Sequence, residues 1–113
     1  MPFISVTTSK KLDQSQREAL CAGLGKDISI IPGKSQANLM IDIFDGRFMC
    51  FSGEAKPCAY LAVHLYGPAP LEKKAEFTAA LFGLMQEVCG LSPDDVYISY
   101  QEYPNWGSRG IFK

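Results

Sequence analysis

The sequence is poor in the residues that build metal and redox centres. It has one histidine, His64, and four cysteines in 113 residues, and no two cysteines form a CxxC pair. Structural metal sites usually need closely spaced Cys or His ligands, so we predict neither a metal site nor a cofactor. Because cysteine packs as a small hydrophobe, we expect free and mostly buried thiols at Cys21, Cys50, Cys58 and Cys89.

The sequence also lacks long apolar runs and any concentration of basic residues. No stretch approaches the roughly 20 apolar residues of a membrane-spanning helix, and the start lacks the pattern of a secretory signal. The net charge is −1, with Lys and Arg scattered among acids, which argues against nucleic acid as a partner. We expect a cytoplasmic protein without membrane insertion, and leave open its release by a route that needs no signal peptide.

What is present is an internal repeat inside a chain of single-domain size, 1–113. The β-prone segments at 3–7 and 60–64 begin 57 positions apart, and segments 34–43 and 91–100 resemble each other at the same offset of 57. A shared offset indicates two copies of a strand–helix–strand unit.

The first copy, about 2–57, carries a helical pattern. Asp13 followed by Gln16 predicts a capping box. Apolar residues then recur at spacings of three and four, until Pro32-Gly33 stops the helix. These residues are Leu20, Leu24, Ile28 and Ile31.

The second copy, about 59–113, predicts a helix over 71–89 that ends at Gly90. One apolar stripe on it consists of Phe77, Leu81, Leu84 and Val88, and a second stripe of Thr78, Phe82, Met85 and Cys89 widens it. Such a broad apolar face is typical of a helix that packs on a sheet.

We therefore predict an α/β (α+β) fold of two pseudo-symmetric βαβ units, with a four-stranded sheet and two helices on one face. Asp45-Gly46 is a turn signal that should lead into a short strand over 48–51. Strand 39–44 is apolar on both alternations, with Ile41 and Ile43 on one and Met40 and Phe44 on the other. The helices cover one face only, so we predict that a second copy covers the other, as in a homo-oligomer.

The order and spacing of several short motifs resemble the macrophage migration inhibitory factor family of the tautomerase superfamily, nearly from end to end. The motifs are Met1-Pro2-Phe3-Ile4, Gly33-Lys34, Met49-x-Phe51-x-Gly53, Pro57-Cys58-Ala59, His64 before Tyr66-Gly67, Asp95-Val96-Tyr97-Ile98, and Asn105-Trp106-Gly107-x-x-Gly110-x-Phe112.

The resemblance implies a homotrimer with its sheets around a central barrel. It also implies an isomerase, a keto–enol tautomerase acting on phenylpyruvate-like or dopachrome-like substrates. The alternative is a cytokine-like interaction protein with a vestigial or weakly active pocket and a cell-surface receptor as partner, because vertebrate members act as secreted cytokines. A ferredoxin-like domain that binds small molecules without catalysis is a third possibility.

The catalytic residue implied by the resemblance is Pro2. Removal of Met1 would leave a secondary amine, whose pKa would fall below the usual value near 8 in an apolar pocket beside Lys34. A neutral amine could then move a proton between the carbon and oxygen of an enol. If Met1 is retained, the Pro2 nitrogen is an amide and offers no base; Pro2 could also merely begin a strand.

The resemblance also implies a set of substrate-binding residues. Lys34 would hold the substrate carboxylate, although a lysine at a helix end is also favoured by the helix dipole. Tyr97 would come from a neighbouring subunit and stack on the substrate ring, or else pack against the core. The aromatic ceiling of the pocket would be Trp106 or Phe112.

Three positions depart from patterns known in the family. Tyr66 stands where vertebrate members have isoleucine, so its backbone amide could still bind substrate while its larger side chain alters the pocket. Ser99 replaces an asparagine and loses an amide donor. Cys58 is followed by Ala59-Tyr60-Leu61, without the second thiol of CxxC, and we predict no redox function.

His64 has no Ser or Asp partner that would suggest a catalytic triad. We expect it to be a strand residue that packs against the helices.

Overall fold

The computed structural model describes all 113 residues as a mixed sheet with two helices on one of its faces. The elements are β1 (Pro2–Thr8), α1 (Gln14–Asp27), β2 (Met40–Phe44), β3 (Cys50–Phe51), β4 (Glu54–Ala55), β5 (Ala59–Tyr66), α2 (Leu71–Cys89), β6 (Val96–Tyr103), β7 (Gly107–Ser108) and β8 (Ile111–Phe112). Short 3-10 turns cover Ile28–Ile30, Gln36–Asn38 and Pro93–Asp95.

The sheet order is β2-β1-β5-β6. β1 is parallel to β2, β5 is parallel to β6, and the two central strands β1 and β5 are antiparallel. Each parallel pair is joined through one helix, which confirms the prediction of two βαβ units in one four-stranded sheet.

The first helix begins with the predicted capping box. The Asp13 carboxylate accepts a hydrogen bond from the Gln16 backbone N–H at 2.8 Å, and the Gln16 side chain accepts from the Asp13 N–H at 3.0 Å. The α-helix ends at Asp27, earlier than the periodicity suggests, and a 3-10 turn over Ile28–Ile30 continues it. The tighter turn keeps Ile28 and Ile31 fully buried.

The second helix spans the predicted residues, and Gly90 ends it in the left-handed conformation at φ 67°. Its buried row differs from the predicted stripe, because Leu84 and Val88 are only half-buried. Leu84 lies against Gly23 of α1, where a Cβ atom would have no room. The row that faces the sheet is Phe77, Leu81, Met85 and Cys89. Neither helix is long and apolar enough to cross a bilayer.

The hydrophobic core lies between the helices and one face of the sheet. Alternate strand residues point into it, as the two-residue period of a strand requires. Those with 1% or less of their surface exposed are Ile4, Val6, Leu61, Val63 and Leu65.

The opposite face of the sheet is open in the single chain and carries exposed apolar side chains. Met40 is 68% exposed and Tyr97 is 64% exposed. His64 also lies on this face, because it alternates with the buried Val63 and Leu65. The expectation that His64 packs against the helices was therefore wrong. Its ring stacks on Phe3 at 5.5 Å between centroids instead, and its Nδ1 shares a 2.7 Å hydrogen bond with the Tyr103 hydroxyl.

Two short hairpins lie outside the main sheet. The strand predicted over 48–51 is limited to Cys50–Phe51 and pairs with Glu54–Ala55, and the hairpin of β7 and β8 was not predicted. Each turns on two residues of positive φ, Ser52-Gly53 (56° and 82°) and Arg109-Gly110 (54° and 78°). Positive φ at both central residues is the type I′ turn, whose twist matches that of the flanking strands.

The offset of 57 recurs throughout the structure. The helices begin at Gln14 and Leu71, and the hairpins begin at Cys50 and Gly107, each pair separated by 57 positions. We call two residues equivalent when they are 57 positions apart in this way.

All four cysteines are free, as expected, but only Cys58 and Cys89 are buried. Cys21 and Cys50 are exposed. Cys21 lies on the solvent side of α1, and Cys50 lies in the short hairpin of β3 and β4. No group of three or more His, Cys, Asp or Glu residues is arranged to hold a metal ion.

Candidate functional site

A cleft of about 370 Å³ opens beside the start of β1. It is formed where three segments meet: the first residues of β1, the 3-10 turn and start of β2, and the segment around β7. Its lining includes Pro2, Asn38, Met40, Trp106 and Arg109. The volume lies in the range that accommodates a small organic molecule.

The amine at the head of β1 has an unusual environment. Partial burial, followed by the charge and hydrogen bond of Lys34 and the charge of Lys113, lowers the pKa of the Met1 amine from 8.0 to about 6. Each of these causes disfavours the protonated form. At neutral pH an amine held here is therefore mostly uncharged and able to accept a proton.

Lys34 reaches the amine because the chain turns sharply after the first βαβ helix. Gly33 adopts a left-handed φ of 78°, and the backbone N–H of Lys34 donates to the Ile31 carbonyl at 3.1 Å. The Lys34 ammonium donates to the Tyr66 carbonyl at 2.8 Å. Lys34, Tyr66 and the head of β1 thus lie together, although the three are far apart in sequence.

Met1 occupies part of this site. Its carbonyl accepts a hydrogen bond from the Tyr66 backbone N–H at 3.2 Å, so the amide expected to bind substrate is engaged. Pro2 is buried and pairs with Leu65 across the central strands. While Met1 is attached, the Pro2 nitrogen belongs to a peptide bond and has no basic lone pair.

Of the two candidates for the aromatic ceiling, the structure brings only Trp106 to the cleft. Trp106 exchanges two backbone hydrogen bonds with Lys113, at 3.0 and 2.8 Å, and its ring packs edge-on to Tyr103. Phe112 pairs with Gly107 in the terminal hairpin, does not line the cleft and is 78% exposed.

Tyr97 lies near the end of the sheet opposite Pro2, and Ser99 lies midway along β6, where it pairs with Ala62. Tyr97 pairs with Tyr60, five residues along β5 from the partner of Pro2, which places it roughly 16 Å away along the strand direction. Its ring packs on Phe51 at 4.9 Å between centroids, on the open face. The alternative that Tyr97 packs in the core was therefore wrong. The Ser99 hydroxyl hydrogen-bonds the Tyr60 hydroxyl at 2.6 Å.

The model of the family "Macrophage migration inhibitory factor (MIF)" matches residues 1–110. The chain belongs to the macrophage migration inhibitory factor family. Its structure is also similar to the crystal structure of Leishmania major MIF2, with a TM-score of 0.93 and 26% sequence identity over 100% of this chain and 97% of that one.

Two curated relatives agree with this membership. Macrophage migration inhibitory factor of Meriones unguiculatus is 28% identical over 102 residues, which are 90% of this chain and 88% of the relative. D-dopachrome decarboxylase-B of Xenopus laevis is 24% identical over 110 residues, covering 94% and 90%. The protein is thus of the macrophage migration inhibitory factor and tautomerase type, with the superfamily's fold.

In this family member, sequence reasoning missed two residues of the cleft, Arg109 and Asn38. The Arg109 guanidinium donates through Nη2 to the Ala37 carbonyl and to the Asn38 side-chain oxygen, both at 3.2 Å. Gly110 is the one local turn signal here, since Arg is not a residue that a type I′ turn favours. Nothing local in the sequence shows that this turn faces the start of β2.

Proposed function

We propose that the chain is a keto–enol tautomerase acting on phenylpyruvate-like or dopachrome-like substrates, with the Pro2 amine as acid and base once Met1 has been removed. The observation that carries the proposal is the Met1 amine, one residue before Pro2, which is held beside Lys34 with a pKa lowered to about 6. The relation to a D-dopachrome decarboxylase supports this type of chemistry.

In this mechanism the neutral secondary amine of Pro2 takes a proton from the substrate carbon and returns one to the oxygen, or the reverse. Efficiency is best when the pKa of the catalytic group lies near the working pH. Lys34 would bind the substrate carboxylate and also keep the amine neutral. The Tyr66 N–H, released from the Met1 carbonyl, would donate to a substrate oxygen.

The working unit would be a homotrimer in which a neighbouring subunit supplies Tyr97 and Ser99 to each cleft. Two observations support this part of the proposal. Tyr97 lies roughly 16 Å from Pro2 along the strand direction, too far to act on the same substrate within one chain. The open face exposes Met40 and Phe44. Size-exclusion chromatography with light scattering should give a mass of three chains; a stable monomer would contradict it.

The test uses the chain without Met1, verified by intact mass, with phenylpyruvate as substrate and enol absorbance as readout. Pro2→Gly should lower kcat/KM by about 10²-fold, because it replaces the positioned secondary amine. Pro93→Gly, at an exposed turn of the second copy, is the matched control and should retain activity. Unchanged turnover in Pro2→Gly would exclude Pro2 as the acid–base group.

One observation favours the alternative, a cytokine-like interaction protein with a silent pocket. Met1 lines the cleft and its carbonyl accepts from the Tyr66 N–H, so in a chain that retains Met1 the Pro2 nitrogen is an amide and cannot act as the base. Intact mass spectrometry of the natively produced protein distinguishes the two: loss of one methionine supports the enzyme, and retention supports the interaction protein.

A further inference from the structure

The terminal hairpin carries an arginine where the turn does not favour one. Ser52 and Arg109 are equivalent residues, each first in a two-residue turn, with nearly identical φ values of 56° and 54°. Type I′ turns favour Gly, Asn and Asp at this position, because other side chains are strained at positive φ. Arg109 therefore has no conformational advantage over Ser52, and its presence points to a use for the side chain.

The Arg109 side chain is held in place at the cleft with hydrogen-bonding capacity to spare. Both of its contacts, to Ala37 and Asn38, use the same nitrogen, Nη2. The N–H groups of Nε and Nη1 make no hydrogen bond within the chain. A guanidinium fixed in this way can present a planar pair of donors to a carboxylate.

The charge of Arg109 is also left uncompensated, in contrast to the other end of the sheet. There, Lys56 forms an ion pair with Asp95 at 2.8 Å. The residue equivalent to Asp95 is Asn38, which contacts Arg109 but carries no charge. No Asp or Glu lines the cleft, and neither Lys34 nor Lys113 forms a salt bridge with an Asp or Glu side chain.

From these observations we propose that Arg109, positioned by Asn38, binds a second anionic group, and that the cleft is selective for 2-oxo dicarboxylic acids. Lys34 would hold the carboxylate next to the reacting carbon and Arg109 the distal one. The position of the first carboxylate rests on the proposed function. The contribution of Arg109 is to ligand affinity, which can be measured without turnover.

The test compares two probes that differ in one carboxylate, 2-oxoglutarate and 2-oxopentanoate. The chain has a single tryptophan, Trp106, and it lines the cleft, so its fluorescence reports binding there. With the full chain lacking only Met1, 2-oxoglutarate should bind about tenfold more tightly, the effect of one charge-assisted, bidentate contact.

Two variants should abolish this preference without disturbing the hairpin. Arg109→Ser installs the residue that the equivalent turn already accommodates, and Asn38→Asp installs the carboxylate of the equivalent Asp95. In both, the affinities for the two probes should agree within about twofold. Arg47→Ser is the matched control, because Arg47 lies over the Phe44 ring outside the cleft. This variant removes the same charge and should keep the tenfold preference for 2-oxoglutarate.

Equal affinities in the unmodified chain, or a preference that survives Arg109→Ser, would overturn the proposal. The phenylpyruvate assay with Pro2→Gly is a separate readout. Unchanged turnover in Pro2→Gly together with an intact 2-oxoglutarate preference would reject Pro2 as the acid–base group and keep the anion site. Loss of turnover in Pro2→Gly without a 2-oxoglutarate preference would keep the enzyme and reject the anion site.

Discussion

The two ends of the sheet are built on the same backbone plan but differ in what fills them. At one end the Tyr66 N–H donates to the Met1 carbonyl at 3.2 Å; at the other, the equivalent Ser9 N–H donates to the equivalent Cys58 carbonyl at 3.1 Å. In both, a left-handed glycine, Gly33 or Gly90, precedes the residue that reaches this end.

The residue that follows each glycine distinguishes the ends. After Gly33 comes Lys34, half-buried beside the amine. After Gly90 comes Leu91, which is 2% exposed and belongs to the core. At the second end Cys58 also accepts from the buried Thr8 hydroxyl at 2.8 Å. One copy of the unit thus ends in packed and hydrogen-bonded structure, while the other ends in an open, cationic cleft.

The largest expected effect is on stability, and it should come from Leu91→Ala at the closed end of the sheet. Removing a fully packed leucine should lower the free energy of unfolding by about 3 kcal/mol through lost burial and a cavity. Chemical denaturation measures it. Lys34→Ala, at the equivalent position, is the control and should cost less than about 1 kcal/mol, because it leaves the core intact. Equal losses would mean that Lys34 has the same structural role as Leu91.

The next effect is on catalysis. Lys34→Leu installs the leucine found at the equivalent position, Leu91. It should lower kcat/KM for phenylpyruvate by about 10²-fold, because the charge-assisted contact to the substrate carboxylate is lost. Without the Lys34 cation, the pKa of the amine should rise from its lowered value, since a neighbouring positive charge disfavours protonation. The acid limb of the pH–rate profile should therefore move to higher pH.

The control for this prediction is Lys11→Leu, which removes an exposed lysine outside the cleft. It should leave both the rate and the acid limb unchanged. An acid limb that stays in place in Lys34→Leu would show that Lys34 does not lower the pKa of the amine.

The smallest effect should come from Asp95→Asn, which gives the second end the neutral residue found at Asn38. It breaks the partly exposed ion pair with Lys56 and should cost less than about 1 kcal/mol of unfolding free energy. Asp94→Asn, the neighbouring acid without an ion pair, is the control. A loss well above 1 kcal/mol would mean that the pair stabilises this end more than its exposure suggests.

The regular elements could be predicted because their signals are local. The Asp13 and Gln16 capping box, the helix from Leu71 to Gly90 and the repeat of 57 all depend on spacings of a few residues or on direct similarity. The apolar residues on both alternations of β2 likewise predicted a sheet whose two faces are both apolar. The errors occurred where two elements meet, as at Leu84, which packs against α1 rather than the sheet.

The candidate site was predicted only in part, for the same reason. Resemblance named Pro2, Lys34 and Tyr66, and the fold brings these three together. It could not tell which of Trp106 and Phe112 faces the cleft. It also missed Arg109, whose role depends on where an unpredicted hairpin lies.

The sequence by itself determined the duplicated unit, the helices and the type of protein, because periodicity, capping and motif order are properties of neighbouring residues along one chain. Only the tertiary structure decided that one end of the duplicated sheet is closed and that the other is a cleft, where Lys34 lies beside an amine of lowered pKa. The packing of distant segments sets burial, and burial together with nearby charge sets a pKa. Those distances are not encoded in any local pattern.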